Sequence, residues 1–116
     1  MAIILYLIAK EPYADREKLE CYVIILDKMV HEDTRQNLFH WRRNNKGLVS
    51  GFWKIFERMV DKKLLEENGS AQFFILTDAV RIIQELPIIL SDLLPYLDKV
   101  LSYYNNYAIR ELLKKI

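Results

Sequence analysis

Only three glycines and three prolines punctuate 116 residues, so the backbone has few places to turn tightly and is predicted to run mostly in long helices. Apolar residues make up 52% and charged residues 28%, which is enough to build one core without disulfides or metal and too apolar for a disordered chain. The length, with no internal linker, predicts a single domain over 1–116, in which 88–116 forms a C-terminal helical extension. The lone cysteine, Cys21, cannot close an internal disulfide and points to a reducing compartment, the cytoplasm. The apolar start, Met1 to Ala9, lacks a basic leader and a small-residue cleavage site and is stopped by Lys10-Glu11-Pro12. The stretch Leu86 to Leu101 is broken by Pro87, Asp92, Pro95, Asp98 and Lys99. Neither suits a membrane span, so a soluble protein with no membrane partner is expected.

Hydrophobic spacing then divides the chain. Ile3 to Ala9 is β-branched enough for a strand, but two helical turns packed on all sides are the preferred reading. Asp15 is placed to cap a helix whose buried face carries Leu19, Tyr22, Val23, Leu26, Met29 and Val30, widened by Cys21 and Ile25, and which reaches about His31. Gln36 to Arg42 alternates as a short strand would, ahead of the polar turn 43–47. From Leu48 a helix is predicted with Leu48, Phe52, Ile55, Phe56, Met59, Val60 and Lys63 on one side, and Ser50, Lys54, Glu57, Arg58, Asp61 and Lys62 outside. Leu64-Leu65 and residues 72–76, joined across Asn68-Gly69, read as a small hairpin. Thr77 is expected to cap a further helix with Val80, Ile83 and Leu86 inward, ended by Pro87. The tail is helical, with Pro95 in a first turn. Its stripe of Leu90, Leu94, Leu97, Leu101, Tyr104 and Ala108 reads either as a core face or as a homodimer seam.

The net charge of +1 conceals a strong internal division. Residues 1–34 hold four basic against seven acidic side chains, net −3, and residues 64–116 hold five against seven, net −2. Between them, 35–63 hold eight basic against two acidic, net +6. Binding to a polyanion depends on a local face rather than on the sum, so the middle third is the candidate nucleic-acid surface. There Arg42, Arg43 and Lys46 precede a helix N-terminus whose free N–H groups also favour phosphate. Ser50, Lys54, Arg58 and Lys62 lie on the exposed helical face, and Asn44 and Asn45 are within reach of base edges. A solvated basic face that meets an acidic partner, including the acidic first third of the same molecule, explains the same charges equally well. The connector from Glu32 to Gly47 is longer than the turn of a simple helix-turn-helix.

The order helix, helix, short strand, helix, β-hairpin, helix is that of a winged-helix domain, a mainly α fold of the α+β kind. The run Phe39 to Ser50, with Phe56, Met59, Val60, Leu64-Leu65 and Phe74-Ile75-Leu76-Thr77, resembles the signature of the YwgA-like and Panacea-antitoxin-like families, as does the tail from Val100 to Glu111-Leu112-Leu113-Lys114-Lys115-Ile116. Where those families carry tyrosine-glycine-proline, this chain has Lys46-Gly47-Leu48, and its wing, Glu66-Glu67-Asn68-Gly69-Ser70, is acidic. The layout is more loosely similar to PadR-type regulators, whose last helix pairs two subunits. The resemblance implies a small transcriptional regulator that binds double-stranded DNA, its partners being a second copy of the chain or, in the antitoxin-like alternative, another protein.

Other chemistry finds little support. Trp41 and Trp53 suit either stacking on a base or the core, and Tyr103, Tyr104 and Tyr107 suit either an interface or a helix anchor. His31, His40, Cys21, Glu32 and Asp33 lack metal-ligand spacing, and no phosphate loop, nucleophile elbow or paired catalytic carboxylates are present. No metal, no cofactor and no catalytic residue are expected.

Overall fold

A helix made of isoleucine, leucine and tyrosine on every side is stable in water only if other elements cover it all round. That requirement organises this protein. The computed structural model describes residues 2–12, 14–36, 52–67, 73–104, 111 and 114, without the side chains of Phe52, Trp53 and Phe74. In chain order the elements are helices α1 (Ala2–Lys10), α2 (Arg16–Thr34) and α3 (Phe52–Asp61), strands β1 (Leu65–Glu67) and β2 (Phe73–Ile75), and helices α4 (Thr77–Ile89) and α5 (Leu94–Tyr104). The protein is mainly helical, as expected. The predicted strand over 36–42 lies outside the described residues except for Gln36, which is in neither helix nor strand.

Ile3 through Ile8 are buried without interruption, and α1 packs against α2, α4 and β2. Isoleucine is a mediocre helix former, at a cost of well under about 0.7 kcal/mol per residue. Burying each such side chain contributes about 1.5–3 kcal/mol, so burial decides for helix over strand.

Asp15 caps α2 by accepting the Lys18 backbone N–H at 2.9 Å. Leu19 through Leu26 are all buried, because α1 and α5 both pack on α2. Glu20 falls within that run and is 2% exposed. The helix continues one turn past His31 to Thr34. Its end is closed by Arg35, left-handed at φ 63°, whose N–H donates to the His31 carbonyl at 2.8 Å.

In α3, Phe56 and Met59 face the core. The helix ends in a Schellman arrangement: the Leu64 N–H donates to the Met59 carbonyl at 2.9 Å and the Lys63 N–H to the Val60 carbonyl at 3.0 Å. Lys63 itself takes the left-handed φ of 59°. The chain then enters the hairpin, antiparallel with Leu65 opposite Ile75 and Glu67 opposite Phe73. Leu65 and Phe73 turn inward. The Leu76 N–H donates to the Leu64 carbonyl at 3.0 Å and extends the pairing.

Three expectations for α4 are corrected. Leu76, not Thr77, is the N-cap residue, and it makes no side-chain capping bond. The helix also runs through Pro87 to Ile89. Proline so near a helix end sacrifices one hydrogen bond to the carbonyl four residues back, and the Leu90 N–H still closes on the Leu86 carbonyl at 2.8 Å. Ala79 and Leu86 supply the buried face, while Val80, expected inside, is 46% exposed. Pro95 sits in the first turn of α5, where its missing N–H has no intrahelical partner to lose.

At Lys63, as at Arg35, sequence and backbone disagree, since a side chain with Cβ costs about 1–2 kcal/mol in the left-handed region. Lys63→Gly is expected to stabilise the fold by about 0.5–1 kcal/mol after glycine's greater unfolded-state freedom is discounted, raising Tm by roughly 2–6 °C. A lower thermal midpoint in the variant would contradict this backbone assignment.

Candidate nucleic-acid interface

Because Phe56 and Met59 fix the inner face of α3, the residues at four-residue spacing on the opposite side are forced outward. Lys54, Arg58 and Lys62 occupy that spacing and are all exposed, with Glu57 and Asp61 beside them. Arg35 and Lys63 are exposed as well. Among the described residues none of Lys54, Arg58 and Lys62, the last just past the end of α3, is ion-paired with a carboxylate. Arg42, Arg43, Asn44, Asn45, Lys46 and Ser50 lie outside the described residues, as do Trp41, His40 and Tyr107.

What holds α3 and the hairpin against the rest is a contact the sequence did not signal. Phe56 of α3 and Phe73 of β2 stack with ring centroids 4.6 Å apart and an interplanar angle of 16°. The Arg16 guanidinium, at the start of α2, stands 5.9 Å from the Phe56 centroid and 5.6 Å from that of Phe73. The same guanidinium donates through Nη2 to Glu67 Oε2 on β1 at 2.5 Å. One side chain thus binds three elements by cation–π and ionic contacts, each worth about 0.5–1 kcal/mol in a partly exposed setting. It also offsets one negative charge of the acidic wing, whereas Glu66 remains exposed. This ion pair joins a cation of the acidic first third to an acid of the hairpin.

On the far side, tyrosine hydroxyls fasten the helices. Tyr6 of α1 donates to Asp98 Oδ1 of α5 at 3.0 Å. Tyr22 of α2 donates to Glu11 Oε2 at 2.6 Å, with the Tyr104 carbonyl 3.4 Å from the same hydroxyl. Burial and the bond to Glu11 raise the Tyr22 pKa far above the phenol range; burial and Asp98 raise that of Tyr6.

The tail stripe is largely spent inside the chain. Leu90 and Leu97 are buried in its own core and offer no surface to a second copy. Leu94, Leu101 and Tyr104 are half-buried, packed at the edge of that core, and Ala108 lies outside the described residues. Tyr103 is exposed and meets the Tyr104 ring edge-on, with centroids 6.5 Å apart.

Among the described residues no three of His, Cys, Asp and Glu come together to hold a metal ion, and no helix is long and apolar enough to cross a membrane. His31 is exposed on the last turn of α2. Cys21 is buried, and desolvation, aided by Glu20, Glu17 and Asp15, pushes its thiol up to about 11. Protonated at neutral pH, it is a packing residue. Compared with family models, curated proteins and solved structures, the chain matches none.

The raised thiol pKa has a signed consequence. Below about pH 9 folded and unfolded chains both keep the proton, and the stabilisation is fully present. Between about 9 and 11 the unfolded thiol ionises first, so stability is lost as pH rises through that window. The urea midpoint is expected to be flat up to that window and to fall within it, less steeply in Cys21→Ala. At pH 8 the native thiol should resist a thiol reagent that labels the urea-unfolded chain at once; equal labelling rates would contradict its burial.

Proposed function

We propose that this chain is a small winged-helix DNA-binding protein acting as a transcriptional regulator, with α3 as the helix that meets the duplex. The observation that carries the reading is the exposed row Lys54, Arg58 and Lys62 on the side of α3 opposite Phe56 and Met59. The order helix, hairpin, helix after it agrees with a winged helix, and Arg42, Arg43 and Lys46 add charge in the preceding segment. Docking is electrostatic: the cations neutralise phosphates and release counterions, while Ser50, Asn44 and Asn45 are the candidates for base edges. Acidic flanks keep the contact narrow. In the two-copy arrangement that such regulators use, Leu94, Leu101 and Tyr104 are the stripe members with surface left to share.

The exposed acid Glu66 on the wing favours a second reading, a protein-interaction module of the antitoxin-like kind that uses the same basic face without DNA. Salt dependence separates the two. Affinity for random duplex DNA is expected to fall log-linearly with salt, and replacing Lys54, Arg58 and Lys62 by Ala should shallow the slope by about 3. Arg42→Glu with Arg43→Glu should abolish retention. No retention of wild type at low salt removes the regulator reading and leaves the protein-interaction one. A monomeric mass at micromolar concentration removes the seam.

A further inference from the structure

The end of α1 and the second half of α5 border an open surface depression of about 330 Å³ lined by Lys10, Glu11, Asp98, Leu101 and Ser102, of which Lys10, Asp98 and Ser102 are exposed. That volume is at the lower end of what small-ligand sites use, roughly 300–1,000 Å³. Its charged groups are anchored from behind. Asp98 holds Tyr6 through Oδ1, and Glu11 holds Tyr22 through Oε2, with Lys18 Nζ 3.8 Å from that same oxygen. These bonds orient both carboxylates and use one oxygen of each. Among the described residues, Asp98 Oδ2 and Glu11 Oε1 make no further hydrogen bond. The Lys10 ammonium stands 5.6 Å from the centroid of the Tyr6 ring, so one tyrosine anchors both the cation of the depression and the Asp98 anion.

We infer that this depression binds a small α-amino-acid zwitterion. Its ammonium pairs with the open oxygens of Asp98 and Glu11, its carboxylate with Lys10 and the Ser102 hydroxyl, and its side chain covers Leu101. Electrostatics selects this class. A simple amine satisfies the two acids but is opposed by Lys10, and a simple carboxylate satisfies Lys10 but faces the two acids. A ligand carrying both charges on one carbon pairs every group. The site shares no residue with the basic face of α3, so it stands or falls independently of DNA binding.

The test is an amide NMR titration of the full chain with L-alanine, L-serine and L-leucine at millimolar concentrations. Two truncations of leucine serve as controls: 3-methylbutylamine, without the carboxylate, and 4-methylpentanoate, without the ammonium. At least one amino acid is expected to give saturable shifts at Lys10, Glu11, Leu101 and Ser102, with neither control doing so. Asp98→Asn, which still accepts the Tyr6 hydroxyl and so keeps the anchor, should weaken binding by about tenfold or more. The inference is overturned by the absence of saturable shifts with all three amino acids, by either control binding as tightly, or by unchanged affinity in a folded Asp98→Asn protein.

Discussion

The burial of α1 is the constraint on which the rest of the structure depends. With Ile3 to Ile8 apolar on every side, the first helix has no face to give to water, and α2, α4 and β2 must all pack against it. This explains why α2, placed between α1 and α5, is buried continuously from Leu19 to Leu26 instead of along a single stripe. It also explains how a short chain with few turns can hold a two-stranded hairpin: β2 leans on α1 through an apolar face that a free hairpin would lack.

On that base the Arg16 clasp fixes the orientation of α3. Phe56 and Phe73 alone would make an apolar contact free to slide. A guanidinium over both rings, tied to Glu67, adds direction and registers helix, hairpin and α2 against each other. The outward row of Lys54, Arg58 and Lys62 thus sits on a helix whose inner face is tied to the hairpin and to α2. At the opposite end, the hydroxyls of Tyr6 and Tyr22 bind α5 to α1 and α2 by polar contacts to Asp98 and to the Tyr104 carbonyl at the core margin.

Much of this was legible locally. The Asp15 cap and a hairpin between Leu65 and Ile75 follow from short-range rules of spacing and capping and stand in the structure; in α3, Phe56 and Met59 face inward as expected, whereas Val60 and Lys63, expected beside them, are exposed. The departures arise where tertiary partners decide. Periodicity identified the stripe with Leu90 and Leu97 but not what covers it, and α2 with the rest of the core covers those two. Pro87 reads as a stop by local rules, yet a helix end tolerates it. Glu20 reads as surface because acids usually are, and only the two-sided packing of α2 buries it. Arg16 carried no signal at all, since its partners lie 40 to 57 residues away in sequence at Phe56, Glu67 and Phe73.

Charge follows the same logic. Lys54 and Arg58 on α3, with Lys62 just past its end, stand exposed beside Glu57 and Asp61, while Glu67 of the hairpin is paired with Arg16. The central claim is that this exterior of α3 is the functional face. Its most direct test is an amide NMR titration with a short random-sequence duplex, read residue by residue. The account predicts shifts concentrated at Lys54, Arg58 and Lys62, fading as salt is raised, with Glu66, Ile88 and Ile89 unmoved. Shifts centred on α4 or α5, or none at low salt, would contradict it.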